Sequence, residues 1–489
     1  MHMMRAFWTT TVACAAVAAV VLTGCGAKET SGDTNGAQIA AASTPAFLSI
    51  DTDPKSAQWQ LVDDLLDSFP GKPHLLEFIR SSLLGEMRLD YERDVRPALG
   101  PEIDLAWLDF EAGGSNVVAL TQPKDEDAFK RMARQLARPD PVAFGKVGDW
   151  LVFSDTKAKV DRFRDQANSG DKLAEHKEFQ AALAELPDES LVYGYAGGND
   201  LTEAFRKVAE GVPGYSQEGD LEFMATALVA EEKGLRWVLV TRGENDLKNT
   251  RPEFKSGLVH EVPADALAFV AMSRADLGKS LKQASPGERQ GLGVLEGMLG
   301  FRLGSLAGLL ENEAAFYARP QVPVPELTLL VKSPNERRAL TQAHEILSGL
   351  ARTVGGKPGR RVKQAGVGLR TLSFDGFLVH YGAFDGKLVV TSGKAAIDEL
   401  RSNGEKLADD DDYRRALTTA GAPDENNLLM YLNIKRIVSS LRLYSLLESG
   451  GADKELYENL APLRSFVLWG ETDARTSTVT AFLQIDRSK

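Results

Sequence analysis

Apolar and polar residues alternate along several short stretches of this chain, and elsewhere apolar residues recur every three or four positions. The first pattern predicts strands and the second helices. Two stretches read as β-hairpins. "FMATALVAEEKGLRWVLVT" (residues 223–241) has its turn at Glu232-Lys233-Gly234, and "FVLWGETDARTSTVTAFLQI" (466–485) is its counterpart near the C-terminus. "SAQWQLVDDLLDSF" (56–69) places Trp59, Val62, Leu65, Leu66 and Phe69 at helical spacing. Strands opening near Ala46, Leu191, Leu267 and Leu428 each start a unit of strand, helix and hairpin. Hairpins set between helices predict a largely antiparallel sheet with helices packed on one face, an α+β fold.

The same pattern occurs twice. "GDWLVFSDTKAKVDRFR" (148–164) aligns without a gap on "DGKLVVTSGKAAIDELR" (385–401), with Leu151/Leu388, Val152/Val389, Lys157/Lys394 and Asp161/Asp398 identical. The flanks follow in order. "NVVALTQPKDEDAF" matches "ELTLLVKSPNERRAL", and "KEFQAALAELPDESLVYGY" matches "DDYRRALTTAGAPDENNLLMYL". The expectation is two tandem homologous α+β modules, residues 45–243 and 264–489, joined by a linker over 244–263. Each has enough residues for a sizeable core.

The N-terminus has a different texture. Residues 6–22 are apolar or small, Arg5 is the one charged residue before Cys25, and a Gly/Ser/Thr/Ala-rich tract follows. This is the order of parts of a secretion signal. Leu22-Thr23-Gly24-Cys25 resembles the bacterial lipobox, whose cysteine receives a diacylglyceryl group before a peptidase cuts in front of it. The expected arrangement is a signal peptide over 1–24, palmitate-type acyl chains on Cys25 and a flexible tether over 25–44. A plain secretory signal and an uncleaved anchor are the competing readings. The apolar span of about 17 residues is at the short limit for crossing a bilayer. Cys14 would leave with the signal, so the mature chain would hold no disulfide and would rely on its core.

Composition narrows the function. The chain has 489 residues, 43% hydrophobic and 26% charged, and a net charge of -12. Such an acidic body argues against nucleic acid as a partner. No zinc-protease spacing links the scattered histidines, no nucleophile elbow exists, and "GLGVLEG" misses the dinucleotide spacing. No cofactor or metal site is expected. Asp409 to Asp412 offer hard oxygen ligands, but their spacing is not that of a calcium loop, and they suit a helix N-terminus before "YRRAL". "GGKPGRRVKQAG" (355–366) is a basic loop, and Lys357, Arg360, Arg361 and Lys363 are candidate anion-binding residues. A solvated hairpin connection is the plainer reading of it. Trp107, Trp150, Trp237 and Trp469 fall on predicted strands, where core packing accounts for them better than a sugar platform.

The opening strand "PAFLSID", then "DVRPALGPEIDLAW" and the "NVVALTQPKDEDAF" and "GDWLVFSDTKAKVD" units, resemble a bacterial exported domain-of-unknown-function family, number thirty-three fifty-two. The resemblance implies export and an α+β fold, and implies no mechanism. In that family a transmembrane helix is a frequent tether, a role Cys25 takes over here. Three function classes follow. The first is a non-enzymatic envelope lipoprotein on the extracytoplasmic face of the cell membrane that contacts an envelope protein, polymer or lipid. The second is a carrier of a lipid or other apolar ligand in a groove on a curved sheet. The third is a hydrolase with a dispersed site, ranked last because no catalytic motif is found.

Overall fold

The structure is a computed structural model that describes residues 35–78, 91–136, 141–168, 170–202, 221–243, 252–273, 278, 281–282, 286–322, 324–374, 377–449 and 454–487. The N-terminal part contributes strands β1 (Ala46–Asp51), β2 (Glu102–Trp107), β3 (Val117–Thr121), β4 (Ala143–Val147), β5 (Trp150–Ser154), β6 (Val192–Gly197), β7 (Leu221–Glu231) and β8 (Gly234–Gly243). Its principal helices are α1 (Ala57–Leu66), α2 (Glu126–Leu136), α3 (Lys157–Asn168) and α4 (Lys177–Leu183). The C-terminal part adds β9 (Ala268–Met272), β10 (Ala314–Arg319), β11 (Glu326–Lys332), β12 (Lys357–Pro358), β13 (Val362–Gln364), β14 (Val367–Phe374), β15 (Phe377–Phe384), β16 (Lys387–Thr391), β17 (Leu428–Leu432), β18 (Leu463–Asp473) and β19 (Thr476–Ile485). Its principal helices are α5 (Leu303–Leu310), α6 (Glu336–Thr353), α7 (Ala395–Leu400), α8 (Asp411–Ala420) and α9 (Ile434–Ser449).

All nineteen strands join one antiparallel sheet. From one edge, the first half runs β4-β5-β3-β2-β1-β6-β7-β8. The second half runs from its outer edge as β14-β15-β16-β11-β10-β9-β17-β18-β19. Leaving aside the outermost strands, the order is the same. The halves meet where β8 pairs with β19, Trp237 opposite Ala481 and Val240 opposite Thr478. Each last strand is the partner of the other, antiparallel, so the ladder crosses from half to half without an edge.

Helices cover both faces rather than the one face expected. On one face α1 and α2 bury Trp59, Phe129 and Met132 over Ile103, Leu105 and Phe153. On the other, α3 and α4 bury Val160, Phe163 and Phe179 over Phe47, Val152 and Val240. The second half repeats this with α6 on the first face and α7 and α8 on the second. The physical cause is visible in β3 and β5, which are buried at every position. Such continuous apolar runs need cover on two sides. An aromatic trio marks each half: Phe179 stands edge-on to Phe47 and Tyr195, as Tyr413 does to Phe269 and Tyr431.

Two expected boundaries move. The tether expected over 25–44 is corrected from residue 35 onward, because a short 3-10 turn, Gly36–Gln38, packs Ala37 and Ala40 into the core. Ala40 accepts the amide of Leu173 at 2.9 Å, and Ala42 donates to Asp171. The linker expected over 244–263 is corrected from residue 252 onward, the rest lying outside the described residues. Leu258–His260 is also a 3-10 turn, Leu258, Val259 and Val262 are core residues, and Val262 accepts the amide of Leu407 at 2.8 Å. Both segments are clips that staple a chain entry to its half; small and apolar residues at these positions favour burial over a free chain.

Candidate functional site

Among the described residues the two ends of the sheet are covered on both faces, while its middle is only partly covered on one, where α1 reaches β7 and α9 reaches β18. β7 shows this directly, since buried and half-buried positions alternate along it, and β17 alternates likewise. The half-buried side chains point to the face that carries α1 and α6. Register places them in a row across seven strands, with the small, buried Ala481 filling one position: Leu228, Trp237, Ala481, Leu468, Met430, Val270 and Phe316. At about 4.8 Å per strand the row is roughly 29 Å long. Trp237 is 38% exposed and Phe316 37%. Trp237 is oriented by its indole N–H, which donates to Thr226 Oγ1 at 2.8 Å.

The row contains no titratable side chain and no nucleophile, so by itself it binds apolar surface rather than supporting acid–base chemistry. The pattern was present in the sequence as the alternation of the two long hairpins. What sequence reasoning missed is that their outward residues are apolar too. Trp237 is the plainest case. It was assigned to the core with Trp107, Trp150 and Trp469; Trp150 and Trp469 are buried there, whereas Trp237 lies in the open row.

The residues singled out from the sequence lie elsewhere. Leu22, Thr23, Gly24 and Cys25 fall outside the described residues. Lys357, Arg360, Arg361 and Lys363 are exposed on the outer edge of the sheet, where β12 and β13 pair with β14 and residues 359–361 bulge between them. The stretch is thus a broken edge strand instead of a loop. Lysine, proline and a bulge on an edge strand obstruct pairing with another chain, which gives these residues a structural role. The acidic run caps a helix: Asp410 accepts the amide of Tyr413 at 2.9 Å, and Asp411 and Asp412 occupy the first turn of α8. Arg436, Arg414 and Arg415 form ion pairs with the run.

A second cluster was not legible in the sequence. Ser49 and Asp51 on β1 face Asp104 and Glu102 on β2, with Tyr193 of β6 beside them. Asp104 is fully buried, and its Oδ2 accepts the amide of Gly36 at 3.0 Å, which fastens the N-terminal clip. Asp104 Oδ1 and Glu102 Oε1 have no partner among the described residues. Burial, with the charge of Glu102 next, raises Asp104 well above the carboxylate range. Burial pushes Glu102 up to about 7 and Asp51 up to about 6. The corresponding clip in the second half needs no such cluster. There Glu313 accepts from Ser256 Oγ and the amides of Gly257 and Leu258, with Lys332 beside it.

Fold and surface together define, among the described residues, a wide antiparallel sheet covered at both ends and partly exposed in the middle of one face. The family model described as Protein of unknown function (DUF3352) matches residues 6–140, and the resemblance read from the sequence holds over that stretch. No curated protein matches this chain, and no solved structure does.

Proposed function

We propose that this protein is a lipoprotein of the bacterial envelope, held at the extracytoplasmic face of a membrane by acyl chains on Cys25, and that it binds rather than catalyses. The observation that carries the binding role is the open apolar row with Trp237 and Phe316 exposed. A monomeric surface leaves contiguous apolar area bare mainly where something is to cover it. The anchor rests on the order of residues before Cys25. The described residues start at Asn35, ten residues beyond, and the chain between can span no more than about 35 Å. Because the row is long, unbroken and free of charge, an extended acyl chain is the favoured occupant, which makes a carrier the second reading.

Two experiments on the full-length protein test this. Cys25→Ala is expected to move the protein out of the membrane fraction, since stable attachment takes two or more acyl chains. Retention at the wild-type level would remove the anchor. Native mass spectrometry after gentle extraction is expected to show an added apolar molecule on the wild type and none on Trp237→Asp. Equal adducts on both would remove the row as the binding surface.

A further inference from the structure

The second half carries a cleft of opposite chemistry. α5 and the first half of α6 part around about 480 Å³ of space lined by Arg302, Arg337, Arg338, Thr341, Gln342 and Glu345. Arg338, Thr341, Gln342 and Glu345 are spaced three, four and seven residues from the first, so they form one stripe of α6. The floor of the seam between the two helices is apolar, with Leu309, Ala339, Ala343 and Ile346 in one core cluster, and its outer rim is polar. α5 answers the stripe with Gly308, where a Cβ would come within 2.3 Å of Gln342 Nε2. The missing side chain leaves the amide of Gln342 at the cleft wall.

The charges are unequal. Three guanidinium groups face one carboxylate, in a chain whose net charge is -12. That carboxylate is already engaged: Glu345 takes Arg302 in a two-pronged pair at 2.7 and 3.1 Å and accepts Ser305 Oγ at 2.8 Å. The pair holds Glu345 down at about 2 and fixes Arg302 on the cleft rim. Arg337 and Arg338 have no carboxylate partner among the described residues. They also sit in the first turn of α6, where the helix dipole disfavours cations. Two unpaired arginines on an acidic protein, placed against the local field and beside neutral donors, form an incomplete anion site.

We propose that this cleft binds a phosphate ester bearing hydroxyl groups, with Arg337 and Arg338 gripping the phosphoryl oxygens and Thr341 and Gln342 meeting the hydroxyls. Guanidinium matches phosphate with two parallel hydrogen bonds, and hydroxyl and amide groups give the site its polyol preference. The hollow is open to solvent, so a ligand there is held at the surface by its charged and hydrogen-bonding groups. The site is independent of the apolar row, so either stands if the other fails.

The test is calorimetric titration of the full-length protein in a non-ionic detergent with glycerol 3-phosphate, and in parallel with a short-chain phosphatidylglycerol. Saturable binding of at least one probe is expected. Arg337→Ala/Arg338→Ala should weaken it at least tenfold, and Arg337→Lys/Arg338→Lys should recover part of the loss. Arg360→Ala/Arg361→Ala on the sheet edge should change it less than twofold. Preference for the first probe identifies a free or polymeric phosphate ester, and preference for the second a lipid head group. Absence of binding by both probes, or equal binding to the double alanine variant, would overturn the proposal. Both arginines are exposed, so the variants should keep the wild-type circular dichroism and unfolding midpoint.

Discussion

Asp104 lies opposite Ser49, two residues after Phe47, and Ala315 lies opposite Ala271, two residues after Phe269, so the two positions correspond. One half thus buries a carboxyl where the other buries a methyl. A buried acid with a raised folded value binds its proton more tightly folded than unfolded. Its contribution to stability is complete below the unfolded value near 4 and is lost as pH rises through the folded value. Glu102 at about 7 and Asp51 at about 6 place that loss between roughly pH 4 and 7. Acids held low act in a lower window, as Glu345 does at about 2. Urea unfolding is therefore expected to show less stability at pH 8 than at pH 5, by on the order of 2 kcal/mol. Asp104→Asn keeps an acceptor for Gly36 and should flatten the slope. An unchanged slope would place the titrating groups elsewhere. Asp410 is a separate case, a side chain that caps α8 and pairs with Arg436. Asp410→Ala is expected to cost about 1–2 kcal/mol at neutral pH, measured by the same unfolding curves.

At the level of elements, the strands and helices that flank the gapless repeat were readable because turn residues and apolar spacing agreed. β5 with α3, and β16 with α7, follow "GDWLVFS" and "DGKLVVT" as expected. The clips were not readable. Gly36–Gln38 lies in a small-residue tract whose composition is that of a flexible chain, and only the mates it finds at Leu173 and Asp104 make it structure. Long-range partners of this kind leave no local pattern. The basic stretch over 355–366 is legible only as an exposed connection for a related reason, since two short strands broken by a bulge carry no period. Its charges matter to the edge they occupy. Replacing Pro358, Arg360 and Arg361 by valine together should let β12 and β13 recruit a second chain. Light scattering is expected to show dimers and larger species, and an unchanged monomer would mean that the edge is protected by other means.

For the whole molecule, the open row exists because two half-sheets are fused. Each half alone would place Trp237 on an edge strand and Leu468 one strand in from an edge, whereas the joined ladder puts both in the centre. The seam also couples the halves thermodynamically. Val238 and Thr480 lie opposite each other in it, with cores of both halves alongside. Val238→Asp would bury an unpaired charge there and is expected to lower the melting temperature of the entire chain in calorimetry. A surviving transition at the original temperature would show that one half is stable without the other.

The pairing of β8 with β19 has a practical corollary. The two strands are the last of their halves, and the covalent path between halves runs through residues 244–267, far from the ladder in sequence on the β19 side. Peptide-bond continuity is therefore not what aligns the seam; nine paired positions from Gly234/Gln484 to Arg242/Thr476 do. Cutting the chain near residue 248 would leave two fragments with complementary sticky edges. Co-expressed, they should find each other and rebuild one particle, which would make this sheet a natural split-reporter scaffold.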